Sequence, residues 1–266
     1  AIIGGAGSLA NIGAGTLVLD TPTYHTGNTS VTVGNITLSH ALAIQNSALN
    51  TTGAGFVTLS GVTTPTFGGL TNSGAARDLA TVISTGYGSV TNLTLNPNSG
   101  SVTYDGVIAD GAAGMSLTKT GAGTQVLTGI QTYTGATYLN GGTLTTYAAG
   151  AIAAGNTVIL NGPAVLNYFG DNTAAALVIN NVGGTSNPTV RTFATNSSTG
   201  AGSVGVLTIG AGGLSATSAN VGTTSTIEGR VDFGSSANTI DVAPITVNGF
   251  TDVDPLRATL ALQGMV

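Results

Sequence analysis

Two stretches of this chain, 8–38 and 116–146, align without a gap, and that repetition constrains the fold more than any other feature of the sequence. The first reads SLANIGAGTLVLDTPTYHTGNTSVTVGNITL, and the second reads SLTKTGAGTQVLTGIQTYTGATYLNGGTLTT. Of 31 aligned positions, 13 are identical, among them Gly13/Gly121, Gly15/Gly123, Leu19/Leu127, Gly27/Gly135, Thr29/Thr137 and Gly34/Gly142. Apolar partners keep phase as well, as Val31/Leu139 and Ile36/Leu144 do. A unit that recurs at fixed spacing is the signature of stacked architectures, in which each repeat buries its apolar side against its neighbours.

Short strand-like runs recur throughout the chain, most of them alternating apolar and polar residues. They include 16–20, 30–33, 56–60, 89–96, 101–108, 124–128, 157–161, 177–181, 204–209, 230–233, 239–242 and 258–263. Period-two alternation bounded by Gly, Asn, Ser and Pro specifies strands and turns. Composition agrees: 45 Thr, 42 Gly, 21 Asn and 20 Ser stand beside a single Lys and a single Glu. Thr is β-branched, which suits strands, and its hydroxyl tolerates solvent. No window of helix length carries a capped apolar stripe of helical period, and no apolar run approaches the ~18 residues that a membrane helix needs.

The stretch SLTKTGAGTQVLTGIQTYTGATYLNGGTL resembles the autotransporter-associated β-strand repeat, also called the passenger-associated transport repeat. Leu117, Lys119, Gly121, Gly123, Leu127, Gly129, Thr132, Tyr133, Gly135, Thr137, Gly142 and Leu144 carry the resemblance. The copy at Ser8 is degenerate, with Asn11 in place of the Lys, Thr21 of the Gly and His25 of the Tyr. The resemblance implies a right-handed parallel β-helix in a secreted or surface-exposed bacterial protein, and it implies no particular activity. The expected fold is therefore all-β. It is a single continuous right-handed parallel β-solenoid over 1–266, of about a dozen coils at roughly 20 residues each, with repeat modules starting near 8 and 116. Gly serves the corners, and Asn is expected to stack in ladders at successive turns.

Charge and chemistry narrow the function. Five basic residues, Arg77, Lys119, Arg191, Arg230 and Arg257, are scattered against a net charge of −5, so no nucleic-acid partner is expected. Zero Cys excludes disulfides and thiolate metal sites. The closest acidic groupings, Asp105/Asp110, Glu228/Asp232 and Asp252/Asp254, are read as turn acids rather than as a glycosidase or lyase pair. Calcium at Asp252/Asp254, with Asp241 nearby, is the weaker alternative, because the Gly-rich stretches lack the Asp that the nonapeptide calcium loop requires. His25 and His40 are the only histidines, and no nucleophile elbow is present. Tyr24, Tyr133 and Tyr138 are read as corner packing. The sequons at Asn28, Asn35, Asn50, Asn92 and Asn196 are what such a composition gives by chance, with glycans on surface Thr or Ser left open. No enzyme, metal, cofactor or membrane insertion by this segment is expected.

The ends carry the remaining signal. The chain opens on Ala1-Ile2-Ile3-Gly4-Gly5, without an initiator Met, and reads as a processed product or a segment of something longer. Residues 253–266 followed by 1–9 align without a gap on 95–117, matching Pro255 to Pro97, Gly264 to Gly106, Ala1 to Ala109 and Ser8-Leu9 to Ser116-Leu117. The phase of the repeat thus continues from the end into the start, as it would in a chain cut from a longer array or in copies that meet head to tail. An interface for self-association is expected at Ala1, Ile2, Ile3, Leu9, Leu260, Leu262, Met265 and Val266, with copies of this unit meeting head to tail as separate subunits or as tandem units of one chain. The functions left open are a structural extracellular fibre, stalk or surface layer, the stem of an adhesive passenger, and, third, a carbohydrate-active β-helix enzyme.

Overall fold

The computed structural model describes residues 3–183, 185–193, 205–234, 238–251, 253–254 and 257–263. It is nearly all β, with stacked parallel strands forming a β-solenoid of about ten turns. The chain falls into two compact units, residues 1–135 and 136–266, each described by itself.

In the first unit each early turn supplies one short strand to each of three sheets. Gly4–Gly5 pairs with Tyr24–His25, Leu9–Asn11 with Thr29–Val31, and Thr16–Leu19 with Asn35–Leu38, all in parallel. The last of these sheets continues through Phe56–Leu59 to Ile83–Thr85. Thr29 lies opposite Leu49, so a short turn of the expected length runs from 29 to 49. Later turns are longer: Thr66 lies opposite Thr94, and the intervening chain includes the helix Leu79–Val82 and the 3₁₀ turn Tyr87–Ser89.

The second unit repeats the plan. One sheet runs Thr137–Leu139, Thr157–Asn161, Ala176–Asn181, Leu214–Ser218 and Ile240–Val242. A second runs Thr143–Thr146, Val165–Phe169, Thr189–Phe193, Ser225–Glu228 and Leu260–Gln263. The third holds Asn172–Ala174, Val206–Ile209 and Arg230–Asp232. Leu177 lies opposite Leu214, so one turn here takes up the whole of 177–214. Such long turns bring the total to about ten, where short turns throughout would give about a dozen. Thr246–Val247 and Phe250–Thr251 form an antiparallel hairpin closed by Asn248-Gly249. Both turn residues have positive φ, 50° and 82°, as the two-residue Asn-Gly hairpin requires.

The core of each unit consists of aliphatic columns running from turn to turn. Leu144, Leu166, Val190 and Ile227 lie in successive register and are all buried. Val158, Leu177 and Leu214 form another column, and Leu160, Ile179 and Ala216 a third. The period of two puts every second residue of a strand inward, and parallel register stacks like on like.

Candidate functional site

At the start of the first unit, each first-turn strand pairs on one side only among the described residues. Gly4–Gly5, Leu9–Asn11 and Thr16–Leu19 are the outermost members of their sheets. Ile3 is half-buried, and its carbonyl accepts the Tyr24 amide at 2.7 Å. Leu9 is half-buried opposite Thr29. Leu17 lies opposite the fully buried Ile36, and Val18, facing outward on the same strand, is exposed.

At the end of the second unit, Leu262 continues the column of Val190 and Ile227, yet it is 55% exposed. Ile240 continues the column of Leu177 and Leu214 and is 50% exposed, and Val242 continues that of Ile179 and Ala216 at 44%. These three side chains point inward by phase but have no turn stacked on them among the described residues. Leu260, half-buried, lies opposite the fully buried Ser225. Of the residues expected at an interface, Leu9, Leu260 and Leu262 lie in outermost strands and Ile3 beside one. Sequence reasoning missed Leu17, Ile240 and Val242. The alternation of 239–242 was legible, but membership of the last turn was not, because the stretch 243–259 intervenes between Val242 and Leu260. The expected interface residues Ala1, Ile2, Met265 and Val266 lie outside the described residues.

The free edges differ in charge. Arg230–Asp232 is outermost in its sheet and carries Arg230 and Asp232, both exposed, and Ile240–Val242 carries the exposed Asp241. Thr16–Leu19 and Leu260–Gln263 carry no charged side chain. Charge on an outermost strand discourages pairing with another chain, and uncharged edges invite it.

The acidic groups are tied into turns and ion pairs. Asp105 accepts the Ala76 amide at 3.2 Å, and Asp78 the Val107 amide at 3.0 Å. Asp110 accepts the amide and hydroxyl of Thr134 at 2.8 and 2.6 Å. Burial pushes the Asp110 pKa up, but the Thr134 bonds and the Gly114 and Met115 amides outweigh it and hold the carboxyl below its ordinary value. Glu228 pairs with Arg191 at 2.7 Å, Asp232 accepts the Gly234 amide, and Asp254 pairs with Arg257 at 3.2 Å. Asp252, the other half of the calcium candidate, lies outside the described residues. Among the described residues no three His, Asp or Glu gather where they could hold a metal ion.

His25 sits in a buried chain of hydroxyls. Its Nδ1 lies 2.9 Å from Thr23 Oγ1 and its Nε2 2.9 Å from Thr29 Oγ1. Thr23 donates to the Ala43 carbonyl, Thr29 Oγ1 lies 2.8 Å from Ser47 Oγ, and Ser47 donates to the Gly27 carbonyl. Burial lowers its pKa. A histidine enclosed by partners on both nitrogens packs a corner, as Tyr133, its fully buried counterpart in the repeat, also does. His40 accepts the Leu42 amide at the surface. Tyr24 is exposed and Tyr138 half-buried. The Asn35 and Asn92 amides bond Thr37 and Thr94, and Asn196 lies outside the described residues.

Compared with known proteins, residues 117–145 match the passenger-associated-transport-repeat family. No curated protein and no solved structure matches the chain. The matched residues include the strand Thr124–Leu127 in the first unit and, in the second, the strand Thr137–Leu139 and all but the last residue of Thr143–Thr146. The chain therefore carries a passenger-associated transport repeat folded as parallel β-solenoid, the combination that fits the stem of an autotransporter passenger.

Proposed function

We propose that this chain is a structural, non-enzymatic section of an extracellular stem, extended by head-to-tail stacking of solenoid turns at its terminal strands. The observation that carries the reading is the exposure of Leu262, Ile240 and Val242, whose columns are buried in every preceding turn. A solenoid turn buries its inward-facing aliphatic side chains against the turn stacked on it. The match to the repeat family supports a surface or extracellular location. The engagement of most carboxylates in turns and ion pairs supports a structural role over a hydrolytic one.

Velocity sedimentation of the wild type and of the double variant Ile3→Lys/Leu262→Lys tests this. The wild type is expected to form species that lengthen with concentration. The variant is expected to remain a single unit with an unchanged β-type circular dichroism spectrum. A wild type that stays a single unit at high concentration contradicts the proposal, and so does a variant that assembles equally well.

A further inference from the structure

We propose that the strand Thr16–Leu19 of one copy docks in parallel on the strand Leu260–Gln263 of the next, with Leu17 opposite Leu260, Val18 opposite Ala261 and Leu19 opposite Leu262. The inference rests on the head-to-tail reading above and specifies which strands meet and in what register.

The first unit contains the template. Ser101–Tyr104 pairs in parallel with Thr124–Leu127, with Val102 opposite Gln125, Thr103 opposite Val126 and Tyr104 opposite Leu127. The alignment of the chain's end on its interior carries 101–104 onto 259–262, within one residue of the strand Leu260–Gln263. The internal repeat carries Thr124–Leu127 onto Thr16–Leu19, and three of those four residues are identical. The two alignments share Ser8-Leu9 on Ser116-Leu117, and together they translate an internal strand pair into a pair formed by the two ends.

Phase agrees. Leu17 and Leu19 lie opposite the buried Ile36 and Leu38, so both point inward. Leu262 lies opposite the buried Ile227, and Leu260 opposite the fully buried Ser225, so these also point inward. The proposed register sets inward residues on inward residues, whereas a slip of one would set each on an outward one. Neither strand bears a charge, unlike the outermost strands that carry Arg230, Asp232 and Asp241. Leu9–Asn11, the strand before Thr16–Leu19, then meets Ile240–Val242, the outermost strand of the other long sheet of the second unit, and covers Ile240 and Val242. A contact of this kind joins different surfaces of identical copies and does not close, so it propagates.

The absence of native Cys makes disulfide trapping clean. Neighbouring strands lie ~4.8 Å apart, within the Cα separation that a disulfide spans. Copies bearing Val18→Cys are mixed with copies bearing Ala261→Cys under mild oxidation and read by non-reducing electrophoresis. The control mixes Ala261→Cys with Ala10→Cys, on the neighbouring outermost strand. All three sites face outward or lie half-exposed, and circular dichroism checks that each variant folds. The expected result is a covalent dimer in most chains of the 18/261 mixture and little in the 10/261 mixture. Lengthened species without the 18/261 link, whether or not the 10/261 link forms, overturn this register and leave head-to-tail stacking standing. Single units with neither link overturn both.

Discussion

Lys119 is the chain's one lysine, and its side chain is buried. Its ammonium donates to the carbonyls of Thr120 and Gly121 and so ties down the corner after the strand Ser116–Lys119. Burial disfavours the charged form and pulls its pKa down to about 8. Between about 8 and its ordinary 10.5 the unfolded chain binds more protons at this site than the folded one, so stability rises with pH through that window. Tyr87 and Tyr104, pushed up by burial first and by nearby Asp110 and Asp78 next, act in the opposite sense only near and above their ordinary 10.0. The urea midpoint is therefore expected to rise from pH 8 to about pH 9.5, and Lys119→Met is expected to flatten that rise. A flat wild-type profile contradicts the burial argument. The paired glycines of the repeat have a cause at the same scale. A Cβ on Gly27 would lie 2.6 Å from the backbone of Gly7 and Ser8, and one on Gly135 would lie 2.3 Å from the Gly114 carbonyl oxygen. The identity of these positions was legible in the sequence. Their cause, close approach to the preceding turn, needed the stacking.

Strands show most clearly what pattern alone can read. The run 157–161 is observed as Thr157–Asn161, and 124–128 as Thr124–Leu127, because in each a short β-favouring run is bounded at both ends by Gly or Asn. The run 89–96 instead begins in the 3₁₀ turn Tyr87–Ser89, entered through Gly86 at φ 83°, and the strand itself is Asn92–Leu95. Long-range repair was not legible at all. The buried Gln125 side chain accepts from the Leu70 amide at 2.9 Å and donates to the Leu70 carbonyl at 3.0 Å, although the two residues are far apart in the chain. An amide side chain there substitutes for a missing ladder strand, and no local pattern announces it. The expected Asn ladder is present in the second unit. Asn180 donates to Asn161 at 2.9 Å, Asn161 donates to Asn140 at 2.7 Å, and Thr217 donates to Asn180 at 3.0 Å. Each Asn Oδ1 accepts from the turn after it, and Nδ2 of Asn161 and of Asn180 donates to the turn before. Asn161→Asp keeps the acceptor, loses the donor and sets two oxygens together. It is expected to lower the unfolding free energy by about 1–2 kcal/mol at neutral pH, with part of the loss recovered below about pH 4 where the carboxyl again donates. Urea unfolding at both pH values checks this, and an equal loss at both would contradict the ladder account.

For the whole molecule, magnitudes decide what would drive the proposed end-to-end assembly. Covering Leu262, Ile240 and Val242, each about half exposed, contributes roughly 1 kcal/mol apiece. Association costs at least ~4 kcal/mol in lost translational and rotational freedom. The apolar ends alone fall short, so the ladder of backbone bonds between terminal strands must supply the rest, and register matters as much as hydrophobic area. This is why the uncharged strands Thr16–Leu19 and Leu260–Gln263, rather than the charged edge Arg230–Asp232, are assigned the contact. The parallel stacked architecture was legible from the internal repeat and the alternating runs. The length of the turns was not, because chain inserted between strands, as between Leu177 and its partner Leu214, leaves the strand pattern untouched. Under the proposed head-to-tail stacking, hydrogen-bonded strands would follow one another along the long axis of the assembly. X-ray diffraction from oriented, concentrated wild-type material tests this most directly. The account predicts a sharp meridional reflection near ~4.8 Å, the spacing between hydrogen-bonded strands along the axis. A reflection of that spacing on the equator, or an unoriented ring from material that does not align, would contradict it.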